Sequence, residues 1–179
     1  IACGRVEKKL DILKEHALNI SYCAKCDGSL YNGKDVMLIG NNKESENDAI
    51  YLSNIVNSLI YVNYSGDNVT FDKDNIKVIN KKISNLNVND EIIKTVIIDD
   101  KEYAIDGLFI ENGYTPNIDF IKSLNIKLDN NYIVVDENMK TNIDGIYASG
   151  DIIKKKVYQI VTAASDGAIA ALSIIKDLK

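Results

Sequence analysis

Asp35-Val36-Met37-Leu38-Ile39-Gly40, followed by Asn41-Asn42-Lys43-Glu44-Ser45, is the stretch whose reading decides the fold. An apolar run between an acid and a glycine predicts a strand buried on both faces, as strands of parallel sheets are. From Glu44 to Asn57 the apolar residues Ala49, Ile50, Leu52, Ile55 and Val56 recur at helical spacing, with acids in the first turn. Leu59-Ile60-Tyr61-Val62 predicts the next strand. Together they make a βαβ unit, whose first strand-to-helix junction is where such sheets bind dinucleotides. A pyrophosphate there calls for G-x-G-x-x-G/A, and the three places hold Gly40, Asn42 and Ser45. Ser45 is small. Asn42 tolerates a left-handed backbone, yet its side chain crowds a phosphate. A βαβ unit that holds no nucleotide is thus as good a reading as a nucleotide site.

Upstream lies Ile20-Ser21-Tyr22-Cys23-Ala24-Lys25-Cys26-Asp27-Gly28. Two cysteines separated by two residues can close a disulfide within one helical turn. If a helix begins here, its free N–H groups favour a thiolate over a thiol. Asp27 can give a proton to a departing thiolate or take one from an attacking thiol. The pattern is that of a redox dithiol. A structural zinc site is the alternative, since Cys3, His16, Cys23 and Cys26 could supply four ligands. The spacing of Cys3 and His16 fits no common zinc pattern, and His16 reads as an ordinary surface side chain. A structural disulfide would leave the third cysteine over.

Ile1 to Arg5 reads as the end of an apolar strand with a glycine turn, and Val6 to Leu18 as a charged surface connector. Downstream, Ile76 to Ile79 is a short strand candidate. Ile92 to Ile98 and Glu102 to Ile105 form a hairpin turning at Asp99-Asp100-Lys101, within a small meander. Gly107 to Ile110 is a further strand, and Gly113 with Pro116 marks a domain crossover. In the last third, Tyr132 to Val135 and Gly145 to Asp151 read as strands, the second ending in Gly-Asp. A carboxylate at that edge suits a ribose-like hydroxyl or serves as a turn acid. Val157 to Leu178 is an alanine-rich helix.

At 179 residues and 46% hydrophobic, the chain can bury one sizeable core or two small ones. No apolar run has the length of a membrane span. The net charge of −5 argues against a nucleic-acid partner. Arg5 is the only arginine. The first residue is Ile rather than Met, and the chain is expected to be part of a longer one.

These landmarks resemble the low-molecular-weight thioredoxin reductases and their relatives, including the flavoprotein subunit of alkyl hydroperoxide reductase. The matching stretches are Ala2-Cys3-Gly4-Arg5, Ser21 to Gly28, Tyr51-Leu52-Ser53, Gly113 with Pro116-Asn117, Ala148-Ser149-Gly150-Asp151, and Gln159 to Ala171. The resemblance covers nearly the whole chain. It implies an α/β protein with two Rossmann-like nucleotide-binding domains of the glutathione/thioredoxin reductase type. The first is complete with a small β-meander and the second is partial. Residues 9–111 are the expected pyridine-nucleotide-type domain carrying the dithiol, and residues 1–8 and 112–179 the returning part of the FAD-binding domain. The family's glycine-rich loop for the FAD diphosphate is absent from these residues, so this chain alone is expected to bind FAD weakly or not at all.

By the same resemblance Cys26 faces the flavin and forms the charge-transfer thiolate, Cys23 attacks the substrate disulfide, and Asp27 manages protons. Asp151 holds the ribityl chain, with Gly4 and Gly150 in the flavin-side turns and Gln159 and Ile160 near the isoalloxazine. Members that use NADPH hold its 2′-phosphate with an H-R-R motif, and those positions here are Asn63, Tyr64 and Ser65. With no second arginine, no guanidinium fork is available for that phosphate. The arginine usual before Gln159 is Tyr158. The combination is similar to the ferredoxin-dependent flavin thioredoxin reductases. The implied protein is a cytoplasmic, homodimeric flavoprotein that reduces thioredoxin or a similar protein disulfide, with a ferredoxin-like donor in place of NADPH and no metal. Lys154-Lys155-Lys156 is a candidate steering patch for an acidic donor, or a solvated surface run. The alternatives are an ordinary NAD(P)H-dependent reductase with a degenerate loop, and a non-enzymatic metal-binding or scaffold remnant.

Overall fold

A computed structural model describes residues 1–8, 10 and 17–179; His16 lies outside them. The chain runs β1 (Arg5–Glu7), β2 (Ile20–Ser21), the short helix α1 (Ala24–Asp27), β3 (Asp35–Gly40), α2 (Lys43–Ser53) and β4 (Ser58–Asn63). Strands β5 (Ile76–Ile79), β6 (Asn85–Asn89), β7 (Ile92–Ile98), β8 (Lys101–Ala104) and β9 (Gly107–Glu111) follow. The remainder holds β10 (Tyr114–Pro116), β11 (Leu128–Asp129), β12 (Tyr132–Ile133) and α3 (Ile160–Asp177). Two compact units result, Lys8–Gly113 and Ile1–Glu7 with Tyr114–Lys179.

In the Lys8–Gly113 unit a parallel sheet has the order β2-β9-β3-β4-β5. Its centre, β3, is buried along Val36 to Gly40. The period-two alternation of a strand divides that burial between two cores. Val36 and Leu38 pack with Ala49, Leu52 and Val56 around α2, whereas Met37 and Ile39 join Ile93, Val96 and Ile98 of the meander. One face of the sheet therefore carries a helix and the other a small antiparallel sheet, β6-β7-β8. Both meander turns use two residues with positive φ, Asp90-Glu91 and Asp99-Asp100. Such turns match the strand twist, and acids of this size tolerate them best at aspartate.

Asn19 ties the meander to the sheet. Its Nδ2 donates to Ile93 O at 2.9 Å and Asp106 O at 3.0 Å, and its Oδ1 accepts from Ile93 N at 2.8 Å.

In the other unit β1 pairs antiparallel with β10, and β11 with β12. A core of Ile121, Ile126, Ile133, Met139, Ala148, Ile152, Ile153 and Ala170 holds it together.

Several expectations need correction. Strand β1 starts at Arg5 and runs into Val6 and Glu7, the first residues of the stretch read as a surface connector. Helix α2 ends at Ser53 rather than Asn57, capped by Asn54, although Ile55 and Val56 still pack into the core. Of Tyr132 to Val135, only Tyr132–Ile133 is strand. Gly145 to Asp151 is no strand. Gly145 turns with φ +75, Tyr147 O accepts from the Ile1 ammonium, Ser149 N donates to Ile1 O, and Ala148 N donates to Met139 O. Partners one residue long cannot build a ladder, and the segment tightens into a 3-10 turn at Gly150–Ile152. Helix α3 begins at Ile160, because Gln159 is extended and its N–H donates to Thr162 Oγ1.

Asn19→Ala removes three hydrogen bonds and strands buried backbone groups, so a loss of about 2–4 kcal/mol is expected. Urea unfolding followed by circular dichroism measures it; a loss below about 1 kcal/mol would mean that this amide does not anchor the meander.

Candidate functional site

Strand β2 leaves the sheet at Ser21, and the chain turns at once into α1. Cys23 is its N-cap, with extended backbone, and its Sγ accepts from Cys26 N at 3.2 Å. Cys23 and Cys26 are joined as a disulfide, their Cα atoms 5.3 Å apart. Cys23 is half-buried and Cys26 exposed. Ser21 Oγ accepts from Cys23 N at 3.1 Å and donates to Asp27 Oδ2 at 2.7 Å, so one hydroxyl links the first cysteine to the acid. Ala24 is fully buried, and a side chain at Gly28 would meet Leu52 Cδ2 at 2.9 Å. Glycine after the acid thus lets the dithiol helix lie on α2.

Sequence reasoning missed Glu111. It ends β9, is 8% exposed, and its Oε1 accepts from Ala24 N at 3.1 Å. Burial first, then the negative charges of Asp48 and Glu44, push its carboxyl up to about 7, against the opposing pull of the Ala24 N–H and of Lys25. Asp48 is itself buried and bonded to Lys25. Burial works against the Lys25 ammonium, yet the Asp48 bond and charge hold its pKa above the ordinary lysine value. The available signal was an acid closing the apolar run Gly107-Leu108-Phe109-Ile110.

Gly40, Asn42 and Ser45 come together at the start of α2. Asn42 is extended (φ −154, ψ 172), not left-handed, and caps the helix: its Oδ1 accepts from Ser45 N at 2.9 Å, while Ser45 Oγ accepts from Asn42 N. Ser45 Oγ also meets the Tyr61 hydroxyl at 2.9 Å. A side chain on Gly40 would strike both groups, so this glycine serves packing whether or not a nucleotide binds. The helix start is occupied by its own cap and carries Glu44 and Glu46 in its first turn, a poor cradle for a pyrophosphate. At the end of β4, Asn63 is buried and donates to Asp67 O and Asn80 Oδ1, and its Oδ1 accepts from Ser65 N and Oγ. The Tyr64 hydroxyl accepts from Ile83 N. Asn63 and Ser65 are bonded to each other and Asn63 to Asp67 in the same loop, while Asn63 and Tyr64 also reach Asn80 and Ile83 beyond β5.

The unit of Ile1–Glu7 and Tyr114–Lys179 holds the remaining candidates. Gly4 and Gly150 have positive φ. Asp151 lies 3.6 Å from Arg5 Nε and 3.3 Å from Lys155 Nζ, yet its buried Oδ1 has no hydrogen-bond partner. The Arg5 guanidinium is stacked over Tyr114 and Tyr158, at 3.8 and 4.1 Å from the ring centroids. Gln159 precedes α3, and Ile160 is exposed. The lysine run is not three free cations: Lys154 pairs with Asp129, and Lys155 with Asp166 at 2.8 Å as well as with Asp151. Cys3, exposed, donates to Asn117 O. Among the described residues no group of three or more His, Cys, Asp or Glu could hold a metal, and no helix is long and apolar enough to cross a membrane.

Comparison with known proteins places this geometry. The sequence profile of the family described as pyridine nucleotide-disulphide oxidoreductase matches residues 68–167. A thioredoxin reductase of Mycoplasma genitalium is 36% identical over 99% of this chain and 62% of its own. The crystal structure of thioredoxin reductase from Streptococcus pyogenes superimposes with a TM-score of 0.89 at 28% identity, covering 99% of this chain and 64% of the other. A ferredoxin-flavin thioredoxin reductase from Clostridium acetobutylicum gives 0.57 at 30% identity, covering 99% and 61%. The chain spans about three fifths of the length of these relatives.

Because the Glu111 carboxyl titrates higher in the fold than its ordinary value of 4.5, the unfolded chain releases that proton first as pH rises. Stability is therefore unaffected below about 4.5, falls between about 4.5 and about 7, and stays lowered above. Relative to Glu111→Gln, the unmodified chain should lose on the order of 3 kcal/mol across that window, read from urea midpoints at pH steps. Parallel pH profiles for the two proteins would contradict the burial argument.

Proposed function

We propose a disulfide-reducing role for this chain, which belongs to the pyridine nucleotide-disulphide oxidoreductase family and to its low-molecular-weight thioredoxin reductase branch. The observation that carries the reading is the Cys23–Cys26 disulfide at a helix start, with Asp27 held beside it through Ser21. The disulfide would take an electron pair from FAD where that cofactor is bound and pass it to a protein disulfide, thioredoxin being the substrate implied by the relatives' names.

The residues on the flavin side fit that cofactor. Asp151 Oδ1 is buried and makes no hydrogen bond within the chain, its one charged neighbour being the Lys155 ammonium at 3.3 Å, so it retains acceptor capacity for a ribityl hydroxyl. Gly4, Gly150, Gln159 and Ile160 would complete the flavin-side lining. FAD, when bound, supplies an electron pair that neither cysteine can store. In the reduced pair, Cys23 Sγ keeps the Cys26 N–H and the helix start, which favour its thiolate. Cys23 attacks a substrate sulfur and forms a mixed disulfide. Cys26 then attacks Cys23, the substrate dithiol departs, and the intramolecular disulfide is restored. Asp27 gives its proton to the departing thiolate and recovers one from Cys26.

The donor reading favours a ferredoxin-like protein over NADPH. Asn63, Tyr64 and Ser65 offer no cation to a 2′-phosphate and are bonded within their loop and to Asn80 and Ile83 beyond β5. The single arginine is stacked on two tyrosines. Loss of two charge-assisted bonds of about 1.5–3 kcal/mol each would weaken NADPH by roughly two to four orders of magnitude. The name of the Clostridium acetobutylicum neighbour supports the same donor class.

Cys26→Ser should trap thioredoxin as a mixed disulfide through Cys23, whereas Cys23→Ser should not, as seen on a non-reducing gel with mass identification. Trapping through Cys26 alone would reverse the two roles. In the complete flavoprotein, stopped-flow mixing with micromolar NADPH should leave the flavin oxidised on the timescale of turnover. Rapid bleaching would overturn the donor reading and leave an ordinary thioredoxin reductase with an unusual loop.

A further inference from the structure

Glu111 takes no part in the exchange steps above, for which Cys23, Cys26 and Asp27 suffice, yet it is buried against the dithiol helix. Its Oε1 accepts from the amide of Ala24, the residue immediately after the attacking cysteine. The charged groups facing it are Lys25 on α1 and Glu44 and Asp48 on α2. Lys25 is bonded to Asp48, so the cation nearest Glu111 is shared with a second buried acid. The disulfide carries no charge, and a carboxylate at this helix start then has no competitor. Reduction puts a thiolate at the same helix start, and two anions there raise each other's proton affinity.

We infer that Glu111 is a positioning residue that takes up a proton when the Cys23–Cys26 disulfide is reduced, so that the Cys23 thiolate forms beside a neutral carboxylic acid. The balance closes. Two electrons from the reductant break the S–S bond, Cys23 is left as thiolate, one proton goes to Cys26, and a second goes to the Glu111 carboxylate. On reoxidation both protons are released. A carboxyl already pushed to about 7 in the disulfide state needs only a modest further rise to make this exchange at neutral pH. The inference rests on the dithiol reading above.

The test is the reduction potential of the pair in the purified chain, poised in dithiothreitol redox buffers from about pH 6 to about pH 9, with thiols trapped by alkylation and counted by mass. Just above about pH 7, between the Glu111 values of the disulfide and dithiol states, the unmodified chain should take up two protons per electron pair, and Glu111→Gln should take up one fewer. Superimposable pH profiles overturn this inference alone. A pair that does not cycle at all overturns the dithiol reading with it. If circular dichroism shows that Glu111→Gln misfolds, the reduced-minus-oxidised infrared difference of a folded Asp27→Asn chain decides. A gain of protonated carboxyl on reduction supports Glu111 as the acceptor, and no gain overturns it.

Discussion

The Lys8–Gly113 unit depends on one constraint, the burial of strand β3 on both faces. Val36 and Leu38 point to α2, Met37 and Ile39 to the meander, and none can reach water. With β9 and β4 as parallel neighbours, the backbone of β3 is satisfied on both edges as well. Parallel pairing brings the carboxyl ends of β2, β3 and β9 to one edge of the sheet. Everything of chemical interest in the unit hangs from that edge: the dithiol after β2, the capped start of α2 after β3, and Glu111 at the end of β9.

Crowding at this edge explains the polar chemistry found there. Helix α1 is one turn long and could not hold its shape alone. It is fixed by the buried Ala24, by Gly28 lying against Leu52, and by the Glu111 carboxylate on its first amide. A buried acid is costly unless bonded, and the bond it makes is to the backbone of the redox motif. The buried acid thus anchors the helix that carries the cysteine pair.

The same edge carries a strand-to-helix junction whose polar groups are satisfied within the chain. Ser45 and Asn42 cap α2 reciprocally, Ser45 is braced by Tyr61, and Gly40 gives them room. The helix start is thus packed and capped by its own residues. Asn63 and Ser65 knit the next loop internally in the same way.

The sequence by itself determined the βαβ unit, the hairpin at Asp99-Asp100 and the closeness of Cys23 and Cys26, because each is written in local spacing. An apolar run of period two, a helical stripe and a CxxC need no distant partner to be recognised. It likewise carried the absence of a guanidinium fork, which is a matter of composition. Only the tertiary structure decided what depends on distant residues meeting. Asn42 became a helix cap rather than a left-handed turn, since Ser45 and Tyr61 were there to close the network. Gly145 to Asp151, apolar enough for a strand, found single-residue partners and built none. Glu111 is separated from Ala24 by 87 positions, and no local pattern announces their hydrogen bond. Its burial and its raised pKa exist only because β9 is laid beside β2 and β3, which delivers a carboxylate to the first amide of the dithiol helix.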